Sequence, residues 1–254
     1  MKKIRILFLS FFATLLAFSH AQAEENPYAA AVDDWQTVLT QYVDDQGRVD
    51  FVGVSQNPDA LARYVAFVAE ISPSSHPQYF KTDNAVMAYH INTYNALAMQ
   101  GVIDRGIPKG FTSVFKRASF FKFRSVVIGG QKTNLYDYEN GVIRPLNEPR
   151  SHFALNCMVK DCPRLPQEAF LETTLDAQLE SATIEFLNSD KHVKVDDKKN
   201  EVRLSGIMKF YTKDFVASGK KQDLLSYVNP YRTNKIPSDY KVKYIDYDWR
   251  INAQ

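Results

Sequence analysis

The chain of 254 residues carries 31 Lys and Arg against 29 Asp and Glu and is 45% hydrophobic and 13% aromatic, which is enough apolar material for a substantial core. Three of the basic residues, Lys2, Lys3 and Arg5, fall at the very start, so the remainder is close to neutral and evenly mixed. That balance offers no basic footprint for nucleic acid or anionic lipid and no acidic tail for cations, and leaves a small molecule, a peptide or a cell-envelope component as the partner.

In chain order, the first element is an address. The basic start, the apolar run Ile6 to Phe18 and the small-residue site Ala21-Gln22-Ala23 form the three parts of a secretory signal peptide spanning residues 1–23, with cleavage after Ala23. The apolar run is shorter than the roughly 20 residues that span a bilayer, and no later stretch approaches that length, so no membrane span is expected. The expected product is a soluble periplasmic or secreted protein. Residues 24–254 contain no Gly/Ser/Pro-rich linker, repeat or low-complexity tract, which favours one domain.

Val32, Trp35, Leu39 and Tyr42 fall at helical spacing before the break Asp44-Asp45-Gln46-Gly47, and Leu61, Val65 and Val68 mark a second helix after Pro58. From Asn84 to about Arg105 the sequence is apolar nearly all round, as a helix packed on several sides must be, until Gly106 and Pro108 end it. RSVVIGGQKTNL reads as a strand and turn, Asp137 to Arg144 as a short helix, and HFALNC as a buried strand. Pro166 is expected to open a helix bearing Leu171, Leu175, Leu179, Ala182 and Phe186 on one face. HVKVDDKKNEVRLS resembles two strands about a polar turn, helical segments follow near Ile207 to Phe215 and Gln222 to Val228, and Ile245, Tyr247, Trp249 and Ile251 alternate as in a half-buried strand. The expected class is α+β: a mainly helical single domain with a small, mostly antiparallel sheet.

The chemistry concentrates in RSHFALNCMVKDCP, residues 150–163, where a histidine and both cysteines of the chain fall close together. Strand alternation would send Cys157 into the core, while Cys162, beside Asp161 and ahead of Pro163, falls in a turn that presents its thiol. A free thiol of pKa about 8.5 is mostly protonated at neutral pH, so a cysteine nucleophile needs an imidazole or a helix N-terminus nearby. His152 and the expected Pro166 helix offer both, with Cys162 as nucleophile, His152 as base and Asp214, Glu139, Asn92 or Asn95 orienting the imidazole. Asn92 and Asn95 share a face of the long helix and are candidates for holding a substrate amide or an oxyanion, whereas His90 points about 200° away from Asn92 at 100° per residue.

Plainer readings stand beside these. His152 would tie a chain end to its neighbour, the asparagines would satisfy the backbone of a packed segment, and Glu139 would pair with Arg144, with Arg150 as a further partner. An oxidising compartment also permits a Cys157–Cys162 bridge, although the spacing departs from the Cys-x-x-Cys of thioredoxin-like enzymes. His76 and His192 sit in polar loop contexts, no ligand group has zinc spacing and no phosphate-binding glycine loop occurs, so neither metal nor cofactor is expected.

AYHINTYNALAM, LYDYENGVIR, PRSHFALNCMVKDCP and FYTKDF occur in the order of the blocks of the domain of unknown function 547 family, which the chain resembles from about Trp35 to Tyr231. The resemblance implies no established activity. In some eukaryotic members the domain is joined to glutaredoxin-like domains, which implies thiol chemistry by association. Where this chain has His90 the family usually has an aromatic residue, and at Asp161 a small one, commonly serine. Three functions follow: a cysteine-dependent hydrolase or acyl/amide transferase, a non-catalytic envelope binding module with a vestigial site, and a thiol redox protein.

Overall fold

Most helices begin where a side-chain oxygen meets a first-turn N–H. In the computed structural model, which describes residues 26–254, Asn26 caps α1 (Pro27–Tyr42) and Asp50 caps α2 (Phe51–Gln56). Helix α3 (Asp59–Glu70) follows Pro58 directly, and Thr82 caps α4 (Asp83–Asp104). Ser113 and Asn134 do the same for α5 (Val114–Phe121) and α6 (Leu135–Tyr138). The expected signal peptide lies outside the described residues.

Helix α4 is buried almost throughout, from Ala85 to Val102, with α2, α3 and α6 packed against it. Its all-round apolar sequence thus becomes the axis of the first core, where Ile91, Leu97 and Met99 each stabilise the fold by roughly 1.5–3 kcal/mol through burial. Beside it lies an antiparallel hairpin of β1 (Val126–Ile128) and β2 (Gln131–Thr133). Its turn, Gly129 and Gly130 at φ +57° and +77°, needs residues free to adopt a left-handed backbone.

The second core gathers around α7 (Leu175–Asn188) and a three-stranded sheet. In that sheet β3 (Val193–Asp196) pairs antiparallel with β4 (Glu201–Leu204), and β4 pairs parallel with β5 (Lys241–Tyr244). Helices α8 (Gly206–Phe210), α9 (Thr212–Phe215) and α10 (Leu224–Tyr231) close it. The class is α+β, mainly helical, with small and mostly antiparallel sheets. Phe153 belongs to the second core, whereas Ala154 and Leu155 belong to the first. The chain therefore crosses between cores inside the histidine-to-cysteine block.

Several local expectations need correcting. HFALNC is not a strand: Pro149–Phe153 form a 3-10 helix, and residues 153–156 are all buried instead of alternating. The helix expected from Pro166 begins at Leu175, so no helix N-terminus follows Cys162 closely. The alternating tail forms only isolated bridges, Gly110–Arg250 and Val159–Ile251, and the strand lies just before it at β5. Helices α2 and α5 were not anticipated.

Candidate functional site

Side chains replace a strand ladder in the cysteine block. Asn95 Nδ2 donates to the Ala154 carbonyl at 3.0 Å while its Oδ1 accepts from the Asn156 N–H at 2.7 Å. Asn156 in turn accepts from Met158 N–H and donates to the Pro163 carbonyl, each at 2.7 Å. Met158 stands at φ +65°, a left-handed conformation that costs energy in a residue with a side chain and here folds residues 157–162 into a tight excursion. The backbone groups of this buried segment are thereby paired, as burial requires.

The excursion inverts the expected burial of the two thiols. Cys162 is 4% exposed and belongs to the first core, while Cys157 is only partly buried. Both are free thiols. Cys162 Sγ accepts the Cys157 N–H at 3.1 Å and the Tyr247 hydroxyl at 3.5 Å. Burial alone would raise the Cys162 thiol, but hydrogen bonds from the Cys157 thiol, the Tyr247 hydroxyl and the backbone outweigh it and hold the pKa below the ordinary cysteine value. Cys157, donating to Cys162 and also desolvated, is pushed well up. Asp161 fixes the same region by accepting the Asp248 N–H at 2.7 Å, which anchors the tail carrying Tyr247.

Both sulfur-bearing residues line a cavity of about 540 Å³, together with Glu139, His152, Tyr94 and Tyr211. Glu139 opens a π-helical turn, Glu139–Ile143, closed by the Arg144 N–H on the Glu139 carbonyl. Its buried carboxylate accepts the Tyr94 hydroxyl at 3.1 Å. Cys162 also borders a second cavity of about 450 Å³, next to Pro163, Arg164 and His192.

His152 is 4% exposed and stacks on Tyr211 with ring centroids 4.0 Å apart. Its Nε2 lies 2.8 Å from Asp214 Oδ2, and Arg144 grips the same carboxylate through Nε at 2.6 Å and Nη2 at 2.7 Å. Partial burial would raise the Asp214 pKa, but the hydrogen bonds from Arg144 and His152 dominate and hold it well below the usual carboxylate range.

The structure thus brings Cys162, His152 and Glu139 to one cavity, with Asp214 directly behind His152. His152 makes no hydrogen bond to either sulfur; Tyr211 stacks on its ring instead. Asn92 and Asn95 are not among the lining residues. They are 0% and 1% exposed, and Asn92 pairs with Phe170 through both N–H and carbonyl, at 3.0 and 2.7 Å. Asn95 ties α4 to the cysteine block at Ala154 and Asn156, and Asn92 ties it to Phe170, so neither is an open polar group facing a ligand. Glu139 does not pair with Arg144, which is taken by Asp214, and Arg150 pairs with Glu148 and Asp176. His192 is not in a polar loop context but is buried and stacked on Phe186, with centroids 3.8 Å apart. His90 joins Tyr138 at 2.6 Å, away from the cavity lining.

The sequence reading missed Tyr94, Tyr211, Tyr247 and the role of Arg144. Tyr94 and Tyr211 lay within the AYHINTYNALAM and FYTKDF blocks and Tyr247 in the alternating tail. Among the described residues no group of three or more His, Cys, Asp or Glu is placed to share a metal ion, and no helix is long and apolar enough to cross a membrane.

A family model described as "Protein of unknown function, DUF547" matches residues 78–187, which include α4, the π-turn and the cysteine block but not the FYTKDF segment. Comparison with curated proteins and with solved structures gave no match.

Proposed function

The chain is a DUF547 family member through residues 78–187, and from that premise we propose that the cavity is a cysteine-dependent acyl- or amide-transfer site, acting as a hydrolase or transferase on a small molecule or peptide. One observation carries the reading: donors converge on Cys162 Sγ inside a cavity that also holds Glu139 and the His152–Asp214 pair. Cys162 Sγ attacks the carbonyl carbon, a C–S bond forms, and the C–O or C–N bond to the leaving group breaks. The imidazolium of His152 gives the leaving atom its proton. Water or an acceptor then releases the acyl group and restores the thiolate.

Because the imidazole does not touch the sulfur, the thiolate is set by hydrogen bonds and not by a base, so His152 serves the leaving group and the incoming nucleophile. We further propose that residues 24–254 form the mature chain and that it works in the periplasm or outside the cell, after removal of residues 1–23.

The test is the pH profile of alkylation at Cys162, followed by mass spectrometry. The wild type should react appreciably below pH 7. Tyr247→Phe and Cys157→Ala should each move the profile up by about 1–2 pH units, the value of one hydrogen bond to a charged group. His152→Ala should leave the profile in place while abolishing turnover. A profile centred near the free-thiol value of about 8.5 in the wild type would overturn the proposal in favour of a binding module.

Two free thiols lining one cavity, with the Cys157 N–H on Cys162 Sγ, favour a second reading, dithiol redox. There the two thiols lose two electrons and two protons to an incoming disulfide, which is reduced to two thiols. Incubation with a small disulfide would then lower the intact mass by about 2 Da, the weight of two hydrogens, and block alkylation at both positions.

A further inference from the structure

We propose that α5 and the residues around it form a docking face for an anionic phospholipid surface. From Arg105 to Tyr136 the chain carries seven basic residues and no acidic one, an asymmetry hidden by the near-neutral total. Arg124 is neutralised by Asp104. Among the described residues Lys109, Lys116 and Lys122 are exposed and form no ion pair with a carboxylate.

Interleaved with these cations are the three most exposed large apolar side chains of the described residues, Val114 at 73%, Phe115 at 75% and Phe123 at 73%. They are not a fraying end. Ser113 caps the helix, Phe120 is fully buried and stacked on Phe111 at 4.2 Å, and Arg105 holds the Ser119 carbonyl at 2.7 Å. The fold fixes α5 from beneath and still presents phenylalanines to solvent.

A lysine neighbours each exposed ring in sequence, in Phe115-Lys116 and Lys122-Phe123, and Lys122 Nζ lies 4.0 Å from the Tyr136 ring centroid. That arrangement suits a headgroup layer over an acyl boundary, where rings insert and lysine stems reach up to phosphates. It suits a protein interface poorly, because the buried centre of such an interface is depleted in lysine. The row Val114, Ala118 and Phe121, at i, i+4 and i+7, lines the thiol cavity, so a docked α5 would set the cavity beside the bilayer. This face does not depend on the proposed chemistry.

The experiment is co-sedimentation of the full mature chain with vesicles of phosphatidylcholine alone or mixed with phosphatidylglycerol. Binding is expected to the mixed vesicles only, and to weaken as salt is added. Lys109→Gln with Lys116→Gln should weaken it about 25-fold, at about fivefold per charge near an anionic surface. Phe115→Ser with Phe123→Ser should weaken it at least about tenfold. All four positions are exposed, so the variants should keep the far-UV spectrum of the parent, and Cys162→Ser should bind as the parent does. Equal binding to both vesicle types, or no binding, would overturn the proposal. So would a concentration-dependent dimer that the phenylalanine variants abolish while vesicle binding stays unchanged, since a second copy would then be what covers the face.

Discussion

His90 and His192 give the protein a defined weakness in acid. Burial pushes the His90 pKa down to about 4, and burial with Lys191 nearby pushes His192 down to about 3. A histidine whose folded pKa is depressed binds its proton more readily when unfolded, so stability falls as pH drops from about 6.5 toward those values. For His90 the loss by pH 4 is about 3 kcal/mol. Asp214 acts in a lower window: its depressed pKa contributes stability above about 3.9, which is lost only as pH falls further. Urea unfolding followed against pH should therefore show a decline that starts below neutrality, and His90→Gln should flatten its upper part. An unchanged slope in that variant would show that His90 is not the group responsible. At this scale the sequence singled out Cys162, His152 and Glu139, which the structure brings to one cavity, because histidine and cysteine are few. It misjudged which of the two thiols is buried because the alternation argument presumed a strand where the Asn95 and Asn156 amides hold a folded loop.

Helix α4 was legible because its apolar residues occupy every face, a pattern that only a helix buried on several sides sustains. Helix α5 was not, since its eight residues make barely two turns, too short a stretch for a helical period to stand out from its neighbours. The cysteine block was read as a strand because a short apolar run looks the same whether a sheet or side-chain amides satisfy its backbone. That substitution has a measurable consequence. Asn95→Ala leaves the Ala154 carbonyl and the Asn156 N–H buried without partners and should cost about 2–4 kcal/mol, as should Asn92→Ala at Phe170. Denaturant melts of both variants check it; losses under about 1 kcal/mol would mean that water replaces the amides. The π-turn bearing Glu139 was likewise beyond sequence reading, because one extra residue in a short helix leaves no periodic trace.

Across the molecule, Phe153 reaches one core while Ala154 and Leu155 belong to the other, so the two cores should unfold together. Phe153→Ala is expected to cost about 3–5 kcal/mol and to lower the protection of α4 and of β4 alike in hydrogen exchange. Loss confined to the sheet and α8–α10 would mark two separate units. The near-neutral charge was a fair reading of the total and a poor one of its distribution, since residues 105–136 carry seven basic and no acidic side chains. The tail has a further consequence, concerning the order in which the chain is made. Tyr247 follows Cys162 by 85 residues, yet it supplies one of the donors that hold that sulfur, and Asp161 and Val159 keep it in place through Asp248 and Ile251. During synthesis both cysteines emerge long before their hydroxyl partner. Until residue 247 arrives, the nascent chain carries two thiols without that hydroxyl, so the hydrogen-bonded sulfur is a late product of synthesis.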